Sequence, residues 1–190
     1  MQQLSPSERA VLDQLDAQPM LAQVQAWSAV NTGTGNLAGL AEQATLLADA
    51  FAALPGEVTL EEPAPVTAVD AAGQEMAVEY GKHLVLRVRP AAERRFLLTG
   101  HMDTVFPASH PFQQQRWLDD QTLNGPGVAD MKGGIAVTLA ALLAFETSPA
   151  AATTGYDVLI NADEETGSLS SAALIAGLAR GKAAALTYEP

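Results

Sequence analysis

Apolar and polar positions along the chain change period several times, and each change marks an element. Ser7 is placed to cap a first helix that reaches about Gln18, where Pro19 would stop it. A second helix is predicted from Leu21 to Val30. The turn-rich loop Asn31-Thr32-Gly33-Thr34-Gly35-Asn36 follows. From Leu37 to Leu54, Leu40, Ala44, Leu47 and Phe51 recur at helical spacing, and Pro55-Gly56 ends the run. From Glu57 the period shortens to two. Val58 with Leu60, and Val66 with Val69, suggest short strands among Pro63, Pro65 and Gly73. His83 to Val88 is predicted as a strand with Leu84, Leu86 and Val88 on one face. Phe96-Leu97-Leu98-Thr99, closed by Gly100, is a continuous apolar run of the kind found in a central strand covered on both faces. Residues 101–127 look like loop. Met131 to Phe145 is predicted as a helix, Tyr156 to Asn161 as a buried strand, Ser168 to Ala179 as a helix before Gly181, and Ala183 to Tyr188 as a last strand.

Strands alternating with helices predict an α/β fold, a layered sandwich with helices on both faces of a mixed, largely parallel sheet. The chain has 190 residues, enough for one domain, and 48% of them are apolar. It has no cysteine. That removes disulfides, thiolate metal sites and a cysteine nucleophile, and leaves imidazole and carboxylate as metal ligands. Ten Lys and Arg stand against 22 Asp and Glu, for a net charge of −12. So acidic a chain lacks the basic face that nucleic acid or an anionic membrane requires. No basic-then-apolar leader opens the sequence, and the apolar run Ile135–Phe145 is shorter than the about 20 residues of a membrane span. A cytoplasmic location is the default expectation.

Sites in such sheets form at the carboxyl ends of the strands. Three strand ends here carry His101-Met102-Asp103, Asp163-Glu164-Glu165 and Glu189, and Asp130 opens a helix. Singly, each has an ordinary explanation: a core histidine, a solvated turn, a surface acid, a helix cap. Together they do not, because adjacent acids at the end of a buried strand repel one another unless a cation is present. His101 and Asp103 are two apart and point the same way in extended chain, so the carboxylate can fix the imidazole of a metal ligand. Glu164 and Glu165 are neighbours whose side chains diverge. One can bind metal while the other holds a water and takes its proton. Other motifs fail. Gly33-Thr34-Gly35 lacks a preceding strand, the stretch Gly177–Lys182 has the wrong gap for a P-loop, and no G-x-S-x-G is present.

Gly100-His101-Met102-Asp103-Thr104, the stretch from Asn124 to Gly134, and Asp163-Glu164-Glu165-Thr166-Gly167-Ser168 together resemble the M20 family of dinuclear zinc peptidases and deacylases. Asn31–Leu37 is similar to that family's early Ser/Thr-Gly loop. The resemblance implies a zinc-peptidase-like αβα sandwich holding two Zn2+, with Co2+ or Mn2+ acceptable. It also implies roles. His101 and Glu189 serve one metal, Asp130 bridges both, with a cis peptide to Met131, and Glu165 serves the other. Glu164 is the general base, and Asp103 orients His101. The implied reaction is hydrolysis of an amide bond in a small peptide or an N-acyl amino acid. The family's last metal ligand is a downstream histidine, and neither His83 nor His110 lies in a matching motif. Residues 1–190 are therefore expected to be the N-terminal portion of a catalytic domain. A lid and dimerisation domain, through which the full-length form would be a homodimer, would lie outside it. Alone, the chain is expected to be inactive or nearly so and to hold at most one of its two metals tightly. The alternative is a non-catalytic metal-binding fragment.

Overall fold

The computed structural model describes residues 4–190. Helix α1 (Pro6–Leu12) starts two residues earlier than the sequence pattern indicates and ends at Leu12, short of the expected Gln18. Ser5 is its cap: its Oγ accepts from the Glu8 amide while Glu8 reaches back to the Ser5 amide. Helix α2 (Ala17–Ser28) is capped by Asp16, and Pro19 lies inside it. Proline in a first turn lacks only a donor that has no intrahelical partner there, so it does not stop the helix as expected. Helix α3 (Leu37–Phe51) is capped by Asn36 and buries Leu40, Gln43, Ala44, Leu47 and Phe51 on one stripe.

Nine strands follow: β1 (Glu57–Glu61), β2 (Val66–Val69), β3 (Glu75–Val78), β4 (His83–Val88), β5 (Arg94–His101), β6 (Arg116–Asp119), β7 (Thr122–Asn124), β8 (Thr154–Asn161) and β9 (Ala184–Thr187). Five form one sheet in the order β1-β4-β8-β5-β9. The sheet is mixed. β1–β4 and β4–β8 are antiparallel, while β8–β5 and β5–β9 are parallel. β2–β3 and β6–β7 are separate hairpins; the second lies within residues 101–127, expected to be loop. Its strands, RWLD and TLN, are exposed except at the half-buried Leu123 and Asn124, so no alternation betrays them.

Helix α4 (Gly134–Glu146) sits with α2 and α3 on one face, where Phe51, Leu84, Leu86, Ile135, Leu139 and Tyr156 join one core. Helix α5 (Ala172–Ala179) covers the other, packing Leu178 on Val85, Leu97 and Leu159. These are the three layers. An irregular helical segment, Val128–Gly133, runs directly into α4. Together they form a 19-residue run of mean hydropathy 1.6, long and apolar enough to cross a membrane. Here its backbone is non-helical at Asp130 and Met131, and its Ile135–Leu139 face is buried against the sheet.

The parallel part of the sheet fixes the site. His101 ends β5 opposite Asn161, which ends β8, and Thr99 lies opposite Thr187 on β9. Two residues beyond that last pair, the register sets Glu189 beside His101. Three strands thus deliver their carboxyl ends to one edge.

Candidate metal centre

His101 is buried, and its Nε2 is 3.0 Å from Asp130 Oδ1, 3.3 Å from Glu189 Oε1 and 4.0 Å from Glu164 Oε2. Two groups of ligand-type atoms, each within 4.8 Å of one another, share it. One is His101, Asp130 and Glu165, the other His101, Glu164 and Glu189. All of the residues singled out from the sequence therefore meet at this edge. Asp130 reaches it from the segment before α4. That segment lies close over β5, where the His101 amide donates to Met131 Sδ. Gly100 leaves room for this, since a Cβ there would stand 3.0 Å from Met131 Cε. The Asp130–Met131 peptide is cis.

Asp103 lies beneath the cluster, about 1% exposed. Its Oδ1 is 3.3 Å from His101 Nδ1 and accepts from the Glu164 amide at 3.2 Å. Its Oδ2 accepts from the Thr34 hydroxyl at 2.8 Å and the Glu165 amide at 3.2 Å. The backbone carbonyl of Asp103 is also 3.1 Å from His101 Nδ1. One carboxylate thus faces the imidazole and clamps the backbone of both glutamates.

The electrostatics follow from this crowding. Burial alone would depress the His101 pKa, but Asp103 first, then Asp130 and Glu164, raise it to about 9. Glu164 and Glu165 are both pushed up by burial and by the surrounding carboxylates, against the pull of His101. Four carboxylates around one imidazole suit a cation better than protons. The donor set, one imidazole nitrogen with carboxylate oxygens, fits a borderline or hard divalent ion.

The match with known proteins is confined to part of a longer architecture. Peptidase family M20/M25/M40 matches residues 97–189, which hold every residue of the cluster. Over that segment the chain is similar to this peptidase family. It is 30% identical over 165 residues to Carboxypeptidase G2 from Pseudomonas sp. (strain RS-16), covering 85% of this chain and 36% of that one. In fold it is similar to the di-peptidase Dug1p from Saccharomyces cerevisiae, with TM-score 0.70 and 15% identity over 94% of this chain and 40% of that one. It is also similar to the M20 family metallo-carboxypeptidase Sso-CP2 from Sulfolobus solfataricus, with TM-score 0.66 and 16% identity over 92% and 37% of the two chains. The chain thus spans about a third of the length of the curated relative it matches.

Behind the cluster the chain holds polar residues to which the sequence assigned no role. Asp163 is fully buried. Its Oδ2 accepts from the Ser170 amide at 2.7 Å, the Ser170 hydroxyl at 2.8 Å and the Ser171 amide at 3.2 Å. Its Oδ1 accepts from the Ser171 hydroxyl at 2.7 Å and Asn161 Nδ2 at 3.2 Å. Burial works against the charge, but these donors hold the Asp163 pKa below its ordinary value. It is the hub of the 161–171 loop that carries Glu164 and Glu165. His83 belongs to this hub and not to the cluster. Its Nδ1 accepts from the Ala162 amide, its Nε2 lies 3.2 Å from Ser170 Oγ, and burial pushes its pKa down. The signal for Asp163 was present in the run of three acids. Of those three, only the first is buried without facing the cluster. His110 is exposed and caps its own turn by accepting from the Phe112 amide.

Proposed function

We propose that this cluster is the metal centre of an amide-bond hydrolase acting on a small peptide, in the manner of a carboxypeptidase, or on an N-acyl amino acid. The carrying observation is that His101, Asp130, Glu164, Glu165 and Glu189, from four separate chain segments, meet around one imidazole, and among the described residues no lysine or arginine pairs with these carboxylates. The names of its relatives, a carboxypeptidase, a di-peptidase and a metallo-carboxypeptidase, support peptide as the substrate class. In this reading His101, Glu189 and Asp130 would hold one ion, and Asp130 and Glu165 would supply part of the site of a second. Zn2+ suits the set, and Co2+ or Mn2+ can replace it. Such ions supply Lewis acidity and lower the pKa of water.

The chain's own residues supply the rest. Glu164 Oε2 takes a proton from the attacking water and returns it to the leaving amine, the task of a general base with a raised pKa. Asp103 keeps the Nδ1 proton on His101 and so presents Nε2 with its lone pair outward. The clamp on the amides of Glu164 and Glu165 holds the backbone from which the two carboxylates reach the cluster. Residues 1–190 form the N-terminal portion of the catalytic domain in this reading. The remaining ligand of the second ion and the groups that bind the substrate belong to further chain.

Calorimetric titration with Zn2+ tests it. The expected result is one tight site per chain, abolished by His101→Ala or Asp130→Asn and kept by Glu164→Gln. In a form extended to the length of its relatives, Glu164→Gln should cost about 10²–10⁴-fold in turnover of dipeptides or N-acyl amino acids. Absence of binding, or loss of the metal in Glu164→Gln, overturns the assignment.

A further inference from the structure

Lys132 lies two residues past Asp130 and is about 1% exposed. Among the described residues no carboxylate pairs with it. Its Nζ instead donates to two backbone carbonyls, Trp27 O and Val30 O, both at 3.0 Å. Those carbonyls belong to the last turn of α2 and the residue just beyond it, where four helical carbonyls have no intrahelical partner and the helix dipole is negative. The stem of Lys132 is enclosed as well. A Cβ on Gly127 would stand 3.1 Å from Lys132 Cδ and 3.1 Å from Thr104 Cγ2, and Gly127 itself has φ 69°. The Lys132 amide donates to Gly127 O at 2.9 Å. The side chain therefore runs from the Asp130 segment, between Gly127 and Thr104, to the end of α2.

The same end of α2 leads into the loop that serves the other half of the cluster. Thr32 O accepts from the Thr104 amide at 2.9 Å, and Thr34 donates to Asp103. Asp103 in turn holds His101 and the two glutamate amides. The Asp130 segment and the Asp103 assembly are thus referred to one support, residues 27–34, and Lys132 makes the side-chain link to it from the Asp130 segment.

We propose that Lys132 is a positioning residue: by anchoring the Asp130 segment to the C-terminal end of α2, it sets Asp130 against His101 and so sets the metal affinity of the centre. This rests on reading the cluster as a metal centre. The segment before α4 is irregular and non-helical at Asp130 and Met131, so its own backbone ladder does not fix where Asp130 points. An ammonium donating to two carbonyls does.

The test compares the wild-type chain with Lys132→Met, which fills the same space without a donor, and with Leu139→Ala, a buried truncation of α4 away from the cluster. Hydrogen exchange is followed by mass spectrometry in EDTA, and Co2+ affinity by titration of its visible absorption. Lys132→Met is expected to speed exchange in residues 27–34 and 128–134 while β5 and β8 stay protected. It is also expected to weaken Co2+ binding by about 10–100-fold, the usual effect of losing a group that orients a ligand. Leu139→Ala should lower the melting temperature yet hold Co2+ within about threefold of wild type. Lys132→Met with unaltered exchange in 128–134, or with Co2+ affinity within twofold of wild type, overturns the proposal. Where Lys132→Met does not fold, Lys132→Gln, with a shorter donor, is judged by the same two readouts. A wild-type chain that binds no Co2+ refutes the metal reading instead, and the exchange in EDTA still decides whether Lys132 anchors the segment.

Discussion

Replacing Asp103 by Asn keeps the shape of the side chain and should still disable the site, because every group facing the carboxylate is a donor. The Glu164 amide and His101 Nδ1 face Oδ1, and the Glu165 amide and Thr34 hydroxyl face Oδ2. Whichever way the new amide turns, its NH2 meets a backbone N–H and leaves it unsatisfied, at about 1–3 kcal/mol for a buried donor. Asn also removes the charge that does most to raise the His101 pKa. Burial alone would hold this histidine below its ordinary value of 6.5, and the carboxylates bring it to about 9. A rise of that size is worth about 3 kcal/mol of folding stability, most of it through Asp103. Glu164 and Glu165, whose pKa values Asp103 helps to raise, regain a little. The sign follows from the raised folded-state value. The His101 contribution is complete below the unfolded pKa and disappears as the pH rises through about 9. In metal-free protein, urea unfolding should therefore find Asp103→Asn weaker by about 3–5 kcal/mol at pH 6, with the gap closing to about 1–3 kcal/mol above pH 9. A gap that is the same at both ends of this range would show that Asp103 does not hold a protonated His101.

The same histidine bears on metal binding. At pH 7 the metal-free imidazole carries a proton that a metal must displace, so calorimetry in two buffers of different ionisation enthalpy should find about one proton released per ion. Release near zero would contradict this, as would affinity that does not rise toward pH 9. Gly134→Ala should loosen the site from a distance, because a Cβ there would overlap the Tyr188 carbonyl and displace the strand end that carries Glu189. Zn2+ affinity at least fivefold weaker with the fold retained is expected, and unchanged affinity would refute it. Asp163→Asn should lower stability by about 2 kcal/mol at neutral pH by setting an NH2 among five donors. Because the folded-state pKa of Asp163 is depressed, its contribution is present above the ordinary carboxylate value and lost as the pH falls through the depressed one. The variant's acid unfolding profile should therefore be flatter than the wild type's, and a parallel profile would count against the hub.

The cluster was legible because its members, Asp130 before α4 excepted, are side chains at or just past strand ends. The apolar run Phe96–Thr99 stops at Gly100-His101, and Tyr156–Asn161 stops before three acids, so pattern and chemistry coincide. The stripe Leu40, Ala44, Leu47, Phe51 was equally plain, since 3.6-residue spacing and burial agree. What escaped was the work of the backbone. No residue letter announces that Asp103 accepts from the amides of Glu164 and Glu165, or that Lys132 ends on two carbonyls. Pro19 misled because its meaning depends on position, a breaker in mid-helix and harmless in a first turn. The β6–β7 hairpin lies in the open and buries neither face, so no alternation marks it.

The β2–β3 hairpin is a detour in the chain. Glu61 at the end of β1 pairs with His83 at the start of β4, so the two strands are already the arms of an antiparallel turn. Residues 62–82 leave that turn, form a ribbon hydrogen-bonded to itself and touch the buried core only at their root, where Gly81 packs on Leu40 and Ala162. One backbone bond, from the Ala64 amide to Ser170 O, fastens its root. The ribbon is in effect a cassette grafted on a loop of the sheet, with its own register and its own surface. Its outer part, between Val69 and Glu75, can lengthen, shorten or change sequence while the root, at Ala64 and Gly81, keeps its hold on Ser170 and the core. Chains built on this plan have a place to vary what they present at their rim while the edge that gathers the histidine and the acids stays as it is.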